Sequence, residues 1–109
     1  MKILLPLLLL PLPALADLPE IVAARADGQT IHVTLAHPDS GWDHYADGWE
    51  VVSDDGASLG LRVLAHPHVN EQPFTRSLRL DSALPDGPVF VRARCSVDGW
   101  GKAWAPVTR

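Results

Sequence analysis

The residues of this 109-residue chain best suited to chemistry are its histidines. His66 and His68 flank Pro67. In an extended chain, residues i and i+2 point the same way and lie about 6.5–7 Å apart. Two imidazoles at that spacing can converge on one ion, with bonds of about 2.0–2.1 Å. Pro67 stiffens the backbone between them and reduces the entropy lost on ordering. His44, His37, Asp43 and Glu71 stand in nearby loops and are available to complete a coordination sphere. Imidazole with carboxylate suits zinc or copper(II) better than calcium or magnesium. A plainer role is open to the same residues: a His-Pro-His segment also serves as polar loop, its rings bonded to backbone.

Other side chains carry weaker signals. Cys95 is a possible soft ligand or redox thiol. Its alternation with Val91 and Ala93 points it into the core, where a cysteine packs as a small hydrophobe. Trp42 and Trp100 fall in loops, where they can stack on a sugar, anchor a protein partner, or fold over the rim of the core. Trp49 is in phase with Val51 and reads as core, and Trp104 reads as packed on the last strand. His32 alternates against Ile31 and Val33 and reads as a solvated sheet residue. Arg76 is placed to brace Glu71 or Asp43, a surface pair that contributes under about 1 kcal/mol. The serines, Ser40, Ser53, Ser58, Ser77, Ser82 and Ser96, sit in no G-x-S-x-G pattern. A hydrolytic metal centre needs three ligands and an open position. Nothing in the sequence marks a substrate pocket beside one, so no enzyme activity is expected.

These residues need a scaffold, and the periodicity supplies one. Apolar and polar residues alternate with period two in short runs separated by turn residues, with no helical period of useful length. The runs are Glu20 to Ala26, Gln29 to Ala36, Tyr45 to Ser53, Ser58 to Ala65, Phe74 to Asp81, Pro88 to Val97 and Lys102 to Thr108. Their expected inward residues include Ile31, Val33 and Leu35; Leu59, Leu61 and Val63; Leu78 and Leu80; and Val89, Val91, Ala93 and Cys95. About seven antiparallel strands in this length predict an all-β, immunoglobulin-like or fibronectin III-like sandwich.

Strand alternation then sorts the connections. Turns at Asp27-Gly28, Asp54-Asp55-Gly56 and Pro85-Asp86-Gly87 fall at one end. The loops 37–44, 66–73 and 98–101 fall at the other, with four of the five histidines. Loops at one end of a sandwich are a usual place for binding.

The segment Leu84-Pro85-Asp86-Gly87, through Val89-Phe90-Val91-Arg92-Ala93-Arg94-Cys95, to Asp98-Gly99-Trp100-Gly101 resembles the end of a fibronectin type III domain. That family has a Leu-x-Pro turn, an alternating strand and a Gly-rich loop there. Val89 stands where the family usually has its corner tyrosine, so the resemblance implies the sandwich more than membership. The segment His66-Pro67-His68-Val69-Asn70-Glu71-Gln72-Pro73-Phe74-Thr75-Arg76 is similar to one in uncharacterised small secreted bacterial proteins, which imply no activity.

The first 16 residues have the features of a signal peptide: Lys2, an apolar run from Ile3 to Leu12, and Ala14 and Ala16 before the expected cut. The run is well short of the ~20 residues a span needs. No cysteine follows the cut, so no lipid-bearing N-terminal cysteine is expected. Residues 17–109 are then one β-sandwich domain. The chain has 9 basic and 13 acidic residues. Loss of Lys2 takes the domain to about −5, which disfavours nucleic acid and anionic membranes as partners. A single cysteine cannot form an intrachain disulfide, so the core must hold the fold. The expected location is the periplasm or outside the cell.

The expected function is non-enzymatic binding of copper or zinc at the histidine-rich loop end. His66 and His68 lead the ligand set; His44, His37, Asp43 and Glu71 follow. A protein- or glycan-binding module using Trp42 and Trp100 is the alternative from another class. A structural envelope protein without a ligand is the third.

Overall fold

The computed structural model describes residues 18–109, which contain no helix. The expected signal peptide, 1–16, lies outside the described residues. The strands are β1 (Glu20–Asp27), β2 (Thr30–Ala36), β3 (Ala46–Ser53), β4 (Ser58–Val63), β5 (Phe74–Arg79), β6 (Val89–Cys95), β7 (Gly99–Trp100) and β8 (Ala105–Pro106). They form an all-β sandwich of two sheets. One has the order β1-β2-β5; the other runs β4-β3-β6-β7, with β8 also pairing β6. Every strand pairing is antiparallel.

The alternation in β2 and β6 translates directly into packing. Ile31, Val33 and Leu35 from one sheet face Val89, Val91, Ala93 and Cys95 from the other, all buried. Trp49 and Val51 fill the centre from β3 and are also fully buried. Burying a side chain of this size contributes about 1.5–3 kcal/mol. Here β2, β3 and β6 hold the core that anchors the loops. Arg92 and Arg94 alternate outward on β6, where Glu50 and Asp47 pair with them.

The fourth strand departs from its expected phase. Leu61 and Val63 are exposed, while Leu64 is buried. The cause is a register shift in the β3–β4 pairing: Val51 faces Gly60 and Val52 faces Ser58. The extra residue, Leu59, is a bulge, and a one-residue slip sends every later side chain to the opposite face. Leu59 still packs against the core. Gly60 allows a close approach between the sheets: a Cβ there would lie 2.8 Å from Leu80 Cδ2 and 2.9 Å from Leu78 Cδ2.

The expected seventh strand is also divided. Instead of one run over Lys102–Thr108, β7 and β8 each pair with part of β6, in the registers Arg94–Trp100 and Phe90–Pro106. Pro106 has no N–H to donate, which confines it to a short edge segment. Beyond it the chain reaches β1: Ala26 N–H donates to Thr108 O and Thr108 N–H to Ala24 O.

Candidate metal centre

Sheet topology carries the loops 37–45, 64–73 and 96–98 to one end of the sandwich, where they are joined by hydrogen bonds. Asp39 is the principal junction. Its buried carboxylate accepts from His37 Nδ1 (2.5 Å) and Ala46 N–H (2.9 Å) through Oδ1, and from His68 N–H (2.7 Å) through Oδ2. A buried carboxylate is tolerable only when its lone pairs are satisfied, and these donors come from three segments. Gln72 makes a second junction. Its Oε1 accepts from His37 N–H and its Nε2 donates to His68 O, each at 2.9 Å.

His37 follows the last residue of β2 and is 3% exposed. Asp39 fixes its Nδ1 as the donor and leaves Nε2 as the atom free to ligate; that Nε2 is buried with no hydrogen-bond partner. His44 is brought alongside by a tight turn. Gly41 adopts φ +139°, a backbone region that side chains disfavour, and its carbonyl accepts from His44 N–H. The two imidazoles meet edge to face, with centroids 4.8 Å apart. His44 Nε2 is likewise buried without a hydrogen-bond partner.

The third member is Cys95, the last residue of β6, free and 2% exposed. Ligand atoms of His37, His44 and Cys95 all lie within 4.8 Å of one another, close enough to hold a metal ion. Burial pushes the Cys95 thiol up; the backbone N–H groups of Asp98 and Val97 pull it back, and the Asp98 carboxylate beside it pushes it up again. Asp98 N–H donates to Sγ at 3.2 Å. Two imidazoles and a thiolate are borderline-to-soft donors, the type that zinc and copper prefer. Such an ion would also satisfy the two buried imidazole nitrogens that have no hydrogen-bond partner.

The other candidates take different positions. His66 and His68 are neighbours, as their spacing predicts, with ring centroids 4.7 Å apart. His68 is engaged elsewhere, however. It stacks on Phe74 at 3.9 Å, and Arg76 Nη2 lies 2.9 Å from its Nε2 and donates to it. Burial, then the Arg76 cation, push the His68 imidazole below the usual histidine range, which keeps it neutral. With Nε2 accepting, the Nδ1 proton points into a buried position without a partner. His66 is exposed, its Nδ1 3.2 Å from the carbonyl of Pro67. Glu71 pairs with Arg76 at 3.1 Å, and Asp43 is exposed. None of these four joins the cluster of His37 and His44.

Of the loop tryptophans, Trp42 is 67% exposed, its ring edge-on to Tyr45. Trp100 is covered by the guanidinium groups of Arg92 (4.3 Å) and Arg94 (5.1 Å). Trp49 is core, as expected, and Trp104 packs toward Phe90.

Cys95, which its alternation marks as a packing thiol several residues from the loop end, is buried as expected but lies beside His37 and His44. The missing signal is positional. Both β2 and β6 run toward the same loops, so the residue after one and the last residue of the other fall at the same level.

No family model matches the chain, and no solved structure matches it. Among curated proteins it is similar to one of Halomicrobium mukohataei named "Putative lipoprotein". The two are 38% identical over 90 residues, covering 79% of this chain and 43% of that protein. The chain therefore spans less than half the length of that relative.

Proposed function

We propose that this chain is an exported, non-enzymatic sandwich module that binds a transition metal ion, zinc or copper, through His37, His44 and Cys95. One observation carries the reading: three ligand atoms lie within 4.8 Å in a buried position where two imidazole nitrogens have no other partner. Asp39 supports it as the carboxylate that orients His37, the arrangement usual behind metal-bound histidines. The relative's name, a lipoprotein, supports an envelope or extracellular location. The strand order, with the fourth strand on β3 rather than β5, supports a fibronectin III-like relationship over the constant-type immunoglobulin arrangement. Sequestration or delivery of the ion is the role that fits.

The test is calorimetric titration of purified, tag-free, reduced protein with Zn(II), and with Cu(I) under anaerobic conditions. Stoichiometric, sub-micromolar binding is expected. It should be lost in His44→Ala and Cys95→Ser and kept in the His66→Ala/His68→Ala double variant. Absence of binding overturns the reading. Binding lost only in the double variant moves the site to the His66–His68 pair.

A second reading rests on Trp42. Its exposed ring and the exposed Val97 place apolar surface on two loops of the same end. A protein or glycan partner would use that surface. Trp42→Ala should then abolish partner capture while leaving metal affinity unchanged.

A further inference from the structure

We infer that Asp98 supplies a fourth ligand, closing the set as two imidazoles, one thiolate and one carboxylate around a tetrahedral ion, with zinc the best match. The inference rests on the three-ligand reading above. Asp98 lies in the turn directly after β6, three residues beyond Cys95. Its Oδ2 is 3.8 Å from His44 Nε2 and 3.5 Å from Cys95 Sγ. Bonds of about 2.0–2.3 Å in a tetrahedron put neighbouring ligand atoms roughly 3.3–3.7 Å apart. The carboxylate oxygen thus already stands near ligand distance from two of the three other donors. The buried, unpaired His37 Nε2 and His44 Nε2 mark the side on which the ion would sit.

The turn has a second effect on the same ion. The Asp98 backbone N–H donates to Sγ while its side chain turns to the same sulfur. One residue therefore meets the sulfur with its backbone N–H and offers its carboxylate as the next ligand. Two anionic donors and two neutral imidazoles neutralise a dication, so the loaded site carries no net charge at the edge of an apolar core. A cuprous ion there would leave one excess negative charge, which low dielectric disfavours. That difference selects Zn(II) over Cu(I), and a closed four-ligand sphere is the form of a binding centre rather than of a hydrolytic one.

The experiment substitutes Co(II) for the ion and compares wild type with Asp98→Asn and Asp98→Ala. The Asp98 side chain is 32% exposed, so both variants should fold, which circular dichroism verifies. Wild type should show intense visible bands of tetrahedral Co(II) and a thiolate-to-metal band in the near ultraviolet. Both variants should keep the thiolate band, lose visible intensity as water enters the sphere, and bind Zn(II) at least about tenfold more weakly. Unchanged visible bands and Zn(II) affinity in both variants would overturn the role of Asp98 while leaving the three-ligand site standing. A wild type without the thiolate band overturns both.

Discussion

Asp39 Oδ1 lies 2.5 Å from His37 Nδ1, with both side chains wholly shielded from solvent. The same carboxylate holds the N–H groups of Ala46 and His68. It thus orients one imidazole and fastens the loop bearing another. Neutral Asn at this position retains the shape and loses the charge that binds three donors.

Asp39→Asn should therefore destabilise the protein by about 2–4 kcal/mol, since donors left unsatisfied in the interior cost about 1–3 kcal/mol each and relaxation recovers part. Urea denaturation gives the value. Metal affinity should fall about 10–100-fold, as it does when a carboxylate behind a ligating histidine is removed. A change under about 0.5 kcal/mol would show that the carboxylate is not a junction.

His68 sets a pH dependence. Its pKa in the fold lies below its ordinary 6.5, first through burial and then through Arg76. The unfolded chain consequently binds more protons than the folded one in the interval between the two values. The stabilisation is complete above about pH 6.5 and declines as pH falls through the folded-state pKa. Urea midpoints measured from pH 7.5 to 5 should fall with acidity, and His68→Gln should flatten that slope. An equal slope in the variant would assign the dependence to another group.

Gly60 offers a test of the bulge. Gly60→Val introduces atoms where Leu78 and Leu80 already stand. Overpacking of this kind costs about 1–3 kcal/mol. A lower thermal midpoint with unchanged far-ultraviolet dichroism is the expected result; an unchanged midpoint would mean that β4 does not approach β5 there.

Trp42→Ala should move stability by no more than about 0.5 kcal/mol, because most of the indole is in solvent. Trp100→Ala should cost more, since two guanidinium groups stack on that ring. Chemical denaturation of the two variants side by side checks the contrast.

The sandwich was legible because period two is a local property. Ile31, Val33 and Leu35, or Val89 to Cys95, declare their buried face without knowledge of the rest of the chain. Leu61 and Val63 misled because the bulge at Leu59 depends on how β4 meets β3, which no local pattern records. The loop end as a place of histidines and acids was equally legible, since alternating strands sort their connections. The choice among those histidines was not. His68 is claimed by Phe74 and Arg76, and Cys95 meets His37 across 58 positions of sequence; both are facts of packing. A repeat such as His-Pro-His is conspicuous in sequence, while a centre drawn from two strand ends and a turn has no spacing to display.

His37 extends β2 in one sheet, and Cys95 ends β6 in the other. Antibody-type sandwiches join their second and sixth strands with a disulfide, which a chain with one cysteine cannot make. An ion between His37 and Cys95 would be a removable rivet between the same two strands, at their loop end. Its strength would follow the supply of metal, about 2.7 kcal/mol at a free concentration 100 times Kd. The resistance of the fold to heat and proteases would then report how much metal its surroundings contain.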